Sequence, residues 1–100
     1  MNTEKYLPMG TIVILNKGFK KIMIFGRKQK KADTGELFDY IAYLYPEGNI
    51  KQDLAILFNH EDIKEIVHVG YIDEDEEKFQ KLFLKAEEIA NEKDIFNFPE

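Results

Sequence analysis

The hydrophobic positions of this chain fall into short runs that turn-forming residues separate, followed by one longer segment with a different period. Apolar runs lie at residues 11–15, 20–25, 36–45, 54–58 and 65–71. Short runs rich in β-branched and aromatic residues, bounded by Gly, Pro or Asn, are typical of β-strands. The pattern therefore predicts five strands between about residues 11 and 71.

Turn signals between these runs predict how the strands connect. Asn16-Lys17-Gly18 is a tight-turn signature, with Gly18 free to take a left-handed conformation, so the first two strands should form a hairpin. Gly26 should stop the second strand, and residues 27–35 should form a polar surface loop or an exposed hairpin end. Pro46 and Gly48 mark a corner between the third and fourth strands, because Pro fixes φ and Gly accepts a positive φ.

The last segment has helical periodicity. Asp73 can cap a helix, and Glu76 three residues later gives the spacing of a capping box. The apolar stripe at three- and four-residue spacing consists of Phe79, Leu82, Phe83, Ala86, Ile89 and Ala90. This predicts a helix from about Glu74 to Glu92, with Leu84 off the stripe. The apolar tail at 95–99 should fold back or meet a partner.

These elements define one fold class. A chain of 100 residues supports one modest core, so we expect a single domain over residues 1–100. Consecutive short strands with tight links indicate an antiparallel sheet, strongly bent or partly barrel-like. The expected fold is α+β, with about five strands packed against the carboxy-terminal helix.

Charge is unevenly distributed around the net value of −5. Residues 17–31 contain seven basic residues and no acid, whereas every residue from Asp73 to Glu77 is acidic. The basic loop at 27–31 is a candidate phosphate-facing patch. A solvated loop that blunts a sheet edge is the favoured interpretation, because no aromatic residue interleaves its charges to stack on bases. The acidic total also disfavours nucleic acid as a partner.

Candidate chemistry is sparse. The chain has neither cysteine nor serine, so the commonest covalent nucleophiles are missing. The glycines are scattered singly and form no phosphate-binding loop. His60-Glu61-Asp62 is the nearest approach to a metal cluster, but a turn capped by Asn59 explains it better. We therefore expect no enzyme, no catalytic residues, no cofactor and no metal.

Localisation follows from similar considerations. No apolar run of about 18 residues predicts a membrane span, and the first residues lack the order of a secretory signal. Absence of cysteine fits a reducing compartment. The sequence predicts a cytoplasmic protein without membrane contact.

Two sets of residues are candidates for binding a protein partner. Tyrosine suits interfaces because it joins apolar area to a polar tip, although core packing is the alternative for each residue. The first set is Tyr40, Tyr43, Tyr45 and Phe58. The second set is Leu84, Phe96 and Phe98, on the helix and the tail.

An ordered series of short motifs resembles one known family. The series begins with Tyr-Leu-Pro-Met-Gly-Thr at 6–11 and Lys-Ile-Met-Ile-Phe-Gly-Arg at 21–27. It continues with Phe-Asp-Tyr at 38–40, Tyr-Pro-Glu-Gly at 45–48, Leu-Phe-Asn-His-Glu-Asp-Ile at 57–63 and Val-Gly-Tyr at 69–71. Over about residues 6–83 the chain resembles the small bacterial family catalogued as domain of unknown function 4176.

That resemblance implies a function. The family is encoded mainly in Firmicutes beside LXG toxins of type VIIb secretion systems. The resemblance implies a cytoplasmic chaperone or targeting factor that binds the helical export domain of an LXG toxin. It also implies other small secretion accessory proteins as further partners. It supplies no catalytic residues. An immunity protein that neutralises a toxin domain through the acidic 73–77 cluster is the alternative, and a nucleic-acid-binding domain using the 27–31 loop is a third.

Overall fold

The computed structural model describes residues 6–93, apart from the side chains of Gln52, Leu84 and residues 86–93. Its residues divide between two compact units, one over 6–71 and the other beginning at Ile72. The first unit is a sheet and the second a helix, and we describe each by itself. A single domain over residues 1–100 stays a prediction.

The first unit is a five-stranded antiparallel sheet. Its strands are β1 (Ile12–Leu15), β2 (Lys21–Lys30), β3 (Leu37–Leu44), β4 (Ile56–Phe58) and β5 (Ile63–His68). They lie in the order β4-β3-β2-β1-β5, and every neighbouring pair is antiparallel. The predicted α+β class and the five antiparallel strands are confirmed.

The sheet is bent but open. β4 and β5 occupy opposite edges, yet only residues 59–62 join them, and 60–62 of these form a 3₁₀ turn. In a flat sheet the two edge strands would lie about 19 Å apart. The five residue steps from Phe58 to Ile63 span about that distance only when the chain is fully extended. Since a 3₁₀ turn is shorter than extended chain, the sheet must curl to bring its edges together. The predicted bend is confirmed, and the sheet does not close into a barrel.

Strand β2 corrects one prediction. Gly26 does not stop the strand; the strand continues to Lys30, so residues 27–30 belong to the end of the β2–β3 hairpin, which is one of the two predictions for this segment. The register with β3 shifts between Ile24 and Gly26, which marks a β-bulge. A Cβ at Gly26 would lie 2.7 Å from Cγ2 of Ile41. The glycine therefore permits close packing inside the strand pair, and the prediction mistook it for a terminator.

Strands β4 and β5 also differ from the sequence prediction. β4 covers 56–58, because residues 52–54 form a 3₁₀ turn instead of strand. β5 covers 63–68 rather than 65–71, and its register with β1 shifts twice. Each bulge adds a residue without a partner, which interrupts the regular alternation of side chains along β5.

The turns confirm the prediction of a positive φ at Gly48 and correct the same prediction at Gly18. Gly48 has a positive φ of 78°, as predicted. In the β1–β2 turn, Lys17 takes the left-handed conformation with a φ of 65°, and Gly18 does not. The N–H of Gly18 instead closes the turn by donating to the carbonyl of Leu15 at 3.1 Å.

The second unit contains helix α1 (Glu74–Lys93), within one residue of the predicted end. The predicted cap is present: the Glu76 N–H donates to the Asp73 carboxylate at 3.0 Å. On the predicted apolar stripe, the rings of Phe79 and Phe83 lie 5.1 Å apart. The packing of α1 against the sheet stays a prediction, and the tail at 95–99 lies outside the described residues.

Replacing Phe83 by alanine should destabilise the protein by about 3–5 kcal/mol, because the side chain is 3% exposed and its loss leaves a cavity. Leu82→Ala is the matched control. Leu82 precedes Phe83 on the same helix but is 48% exposed, so we expect a change within about 0.5 kcal/mol. Urea unfolding of both variants measures the difference, and a loss below about 1 kcal/mol for Phe83→Ala would show that this side chain is not core.

Candidate partner-binding face

Strand pairing sorts the side chains of the sheet onto two faces, because directly opposed residues point to the same side. One face, which we call the buried face, is sealed from solvent. It comprises Val13 on β1, Ile22 and Ile24 on β2, Tyr40 and Ala42 on β3, and Phe58 on β4. All six are at most 2% exposed, so they form the core of this unit.

The opposite side, which we call the outer face, is also apolar. It comprises Ile12, Ile14, Met23, Phe25, Ile41, Tyr43 and Leu57. Each of these side chains is only half-buried. An antiparallel sheet with one buried face normally presents polar residues on the other. This outer face carries the charged Lys21 and Glu65, both paired with Ile14, but its central positions are apolar.

An aromatic stack lies at the centre of the outer face. The rings of Phe25 and Tyr43 are parallel within 6° and their centroids lie 3.6 Å apart. Phe25 is the extra residue of the β2 bulge, so the bulge directs its ring over Tyr43, whose direct partner in the register is Met23. The bulge that the sequence did not predict thus builds part of this face.

The structure separates the aromatic residues that the sequence grouped together. Tyr40 and Phe58 belong to the buried face, so they are not available as surface contacts. Tyr43 lies on the outer face. Tyr45 is 39% exposed, and its N–H donates to the carbonyl of Lys21 at 2.9 Å just beyond the end of β3. Three further candidates, Phe96, Phe98 and the side chain of Leu84, lie outside the described part of the structure.

The sheet end near Tyr45 carries exposed residues that the sequence reasoning missed. Phe19, in the β1–β2 connection, is 92% exposed, and Ile50 is also exposed. Lys20 joins this connection to the Tyr-Pro-Glu-Gly corner, since its Nζ lies 2.7 Å from Oε1 of Glu47. That hydrogen bond lowers the pKa of Glu47. The sequence signal for this exposed residue is that Phe19 is the only phenylalanine in a Lys-rich turn.

Hydrogen bonds of the Tyr40 hydroxyl connect strand β3 with the segment before β1 and with the turn after β4. The hydroxyl accepts the Leu7 N–H at 2.8 Å and lies 3.0 Å from Nδ1 of His60. The hydroxyl and this ring nitrogen of His60 share a buried hydrogen bond. Asp39 completes the cluster by accepting the backbone N–H of His60 at 2.9 Å.

This cluster of tyrosine, histidine and aspartate is structural. Groups of these types perform acid–base chemistry in enzymes, but only where a substrate can reach them. Here Tyr40 is fully buried and His60 is 5% exposed, so the hydroxyl and the ring serve the core. Burial also raises the pKa of Tyr40 far above its usual value, which keeps the hydroxyl protonated.

Tyr40→Phe should destabilise the protein by about 1–3 kcal/mol at pH 7, because it removes the hydrogen-bond partner of the part-buried Leu7 N–H and of the buried His60 ring. The folded-state pKa of Tyr40 lies above the unfolded value of about 10. Its contribution is therefore fully present below about pH 10 and is lost as the pH rises towards the folded-state pKa. Urea unfolding at pH 7 and pH 11 should show the gap between wild type and variant narrowing. A gap of constant size would contradict this, and exposed Tyr45→Phe is the control.

The His60-Glu61-Asp62 segment is the capped turn that the sequence predicts. The Asp62 carboxylate accepts the Asn59 N–H at 2.9 Å, as a capped turn requires. The Asn59 side chain accepts the Asp39 N–H at 2.9 Å and so fastens the turn to β3. Among the side chains that the structure describes, no group of three or more His, Asp or Glu is arranged to hold a metal ion. In the described part of the chain, no helix is long and apolar enough to cross a membrane.

Fold and surface together define a small α+β protein built on an open, bent antiparallel sheet with two apolar faces. The chain belongs to the family described as Domain of unknown function (DUF4176), whose model matches residues 6–79. This confirms the resemblance carried by the motif series. No curated protein and no solved structure matches the chain.

Proposed function

We propose that this protein is a non-enzymatic accessory protein of the cytoplasm that binds the helical export domain of an LXG toxin before type VIIb secretion. Membership of the DUF4176 family supports the choice of partner, through the association of that family with LXG toxins. The role is that of a chaperone or targeting factor. Other small secretion accessory proteins would join the same assembly.

The half-buried outer face is the observation that carries this proposal. Seven large apolar side chains on four neighbouring strands form one continuous surface. A contiguous apolar surface that solvent still reaches in part is a candidate for protein interaction, because leaving its apolar area in water costs free energy. The stacked Phe25 and Tyr43 give that surface aromatic area at its centre, which is the kind of residue that dominates interface energetics.

A helical partner suits this face for a geometric reason. Sheets cover an apolar face either with helices or with a second sheet. An amphipathic helix brings its own satisfied backbone and one apolar stripe, so it can cover a sheet face without leaving hydrogen-bonding groups unpaired. An export domain built of such helices would lose exposed apolar area on binding, which is what a chaperone provides.

Co-purification tests the proposal. The untagged protein should be retained by the tagged amino-terminal export domain of the LXG toxin encoded beside it, and not by the carboxy-terminal toxic domain. Retention by the toxic domain alone would instead support the immunity protein suggested by the acidic residues 73–77. Retention by neither domain at micromolar concentration would contradict both roles.

A further inference from the structure

An exposed aromatic side chain lies at one end of the sheet. Phe19, in the connection between β1 and β2, is 92% exposed, so its ring has almost no contact with the rest of the chain. Ile50 is 61% exposed and Tyr45 is 39% exposed. Leaving large apolar side chains in water costs free energy, so a group of them is a candidate contact surface. Unlike the half-buried outer face, this end of the sheet is open to solvent.

Two polar contacts hold the segments that carry these residues side by side. The Tyr45 N–H donates to the carbonyl of Lys21, the first residue of β2, at 2.9 Å. Nζ of Lys20 lies 2.7 Å from Oε1 of Glu47, so the β1–β2 connection is fastened to the corner after β3. We call this surface the Phe19 end, and it comprises Phe19, Tyr45, Ile50, Lys17 and Lys21.

The free charges of the Phe19 end are positive. Lys17 and Lys21 are exposed, and neither has an ion-pair partner among the described residues. The acid of the neighbouring corner, Glu47, is already paired with Lys20. The chain as a whole carries a net charge of −5. The Phe19 end is therefore a positive, partly apolar surface on an acidic protein.

An apolar tip flanked by lysines matches the surface of an anionic membrane. Negatively charged lipids attract lysines that lie near the headgroups. Aromatic side chains are favoured at the boundary between headgroups and acyl chains. A folded partner must offer a pocket shaped for a protruding ring such as Phe19, whereas a fluid bilayer adapts to the shape of the ring. Since the net negative charge of the chain opposes general attraction to such a membrane, contact is confined to this end.

We propose that the Phe19 end makes peripheral contact with a membrane that contains anionic phospholipids. Phe19 enters the boundary between headgroups and acyl chains, and Lys17 and Lys21 lie against the lipid phosphates. Tyr45 and Ile50 add apolar area beside the ring. The prediction of no membrane contact came from the lack of a spanning run in the sequence, and a surface contact does not require one. This inference goes beyond the proposed function and does not involve the outer face.

Sedimentation with vesicles tests the inference on the complete protein. The wild-type protein should sediment at low salt with vesicles of equal parts phosphatidylglycerol and phosphatidylcholine, and not with vesicles of phosphatidylcholine alone. Phe19→Ser should weaken binding about tenfold, because it removes the inserted ring. Lys17→Gln and Lys21→Gln should each weaken it about fivefold, because each removes one charge near the lipid surface. Adding about 0.5 M NaCl should release the wild-type protein, because exposed charges are screened.

Matched controls come from the end of the hairpin between β2 and β3. Leu37 is 68% exposed, and Lys30 and Lys31 are exposed as well. Leu37→Ser, Lys30→Gln and Lys31→Gln therefore change the same kinds of side chain at a different place, and they should bind like wild type. Circular dichroism of each variant confirms that it is folded.

Three results would overturn the inference. The first is a wild-type protein that does not sediment with the anionic vesicles, and the second is equal sedimentation with neutral vesicles. The third is a Phe19→Ser variant that binds like wild type, and a loss confined to the control variants would then assign the contact to the β2–β3 hairpin. The export domain is absent from this experiment, so each of these results leaves the proposed function to its own test.

Discussion

Replacing Gly70 by alanine is expected to destabilise the protein by about 3 kcal/mol or more, with a melting temperature lower by about 15 °C. Gly70 follows β5 and lies against the segment that leads into β1. A Cβ at this position would overlap the carbonyl oxygen of Met9 and would lie 2.9 Å from the backbone nitrogen of Thr11. Both neighbours are backbone atoms, so no side-chain rotation relieves the overlap.

The loss has a second component, because Gly70 is buried and its N–H donates to the Thr11 hydroxyl at 3.0 Å. Any shift that makes room for the methyl group also stretches this bond between β5 and the start of β1. Gly18→Ala is the matched control, since its Cβ would make an ordinary contact of 3.5 Å with the carbonyl oxygen of Leu15. Thermal unfolding should leave Gly18→Ala close to wild type. A Gly70→Ala variant of unchanged stability would contradict the close approach of the two segments.

Replacing Phe58 by alanine should cost about 3–5 kcal/mol, the range for deleting a buried aromatic side chain. Phe58 is 2% exposed and lies opposite Tyr40, with their rings 5.3 Å apart. Its removal leaves a cavity beside the hydroxyl cluster of Tyr40 and His60. Urea unfolding at pH 7 measures the change.

Leu57→Ala tests the assignment of faces within the same strand. Leu57 precedes Phe58, points to the outer face and is half-buried, so we expect a cost of about 1 kcal/mol. The two neighbours should therefore differ by at least about 2 kcal/mol. Similar losses at both positions would show that the outer face is as well packed as the buried face, and the proposed docking surface would lose its support.

The sequence predicted those elements that depend on local chemistry. The helix from Glu74 was predictable because a cap at Asp73 and a stripe of apolar residues both act within a few residues of each other. The corner at Pro46 and Gly48 was predictable for the same reason, since both residues restrict or extend their own backbone angles. Such signals do not depend on which strands become neighbours.

The parts that the sequence did not predict depend on contacts between distant segments. Gly26 is a strand residue because Ile41 on the neighbouring strand packs against it, and nothing local to Gly26 indicates this. The two bulges of β5 arise from its pairing with β1, which is about fifty residues earlier in the chain.

One part of the candidate site was readable from the sequence. Tyr40 is an odd number of residues from both Tyr43 and Tyr45, so a regular strand must place it on the opposite face of the sheet. This alternation does not say which face is buried, because on strand β2 the residues Ile22 and Ile24 alternate with the equally apolar Met23 and Phe25. The contact of Tyr40 with Leu7 and His60 makes that choice, and both partners are far away in sequence.

A methyl NMR titration of the complete protein with the LXG export domain tests the central claim most directly. The claim is that the outer face binds a helical partner. It predicts that methyl signals of Ile12, Ile14 and Met23 shift or broaden on addition of the domain, while those of Val13, Ile22 and Ile24 on the buried face stay in place. Absence of any change in the outer-face methyl groups at saturating export domain would contradict the claim.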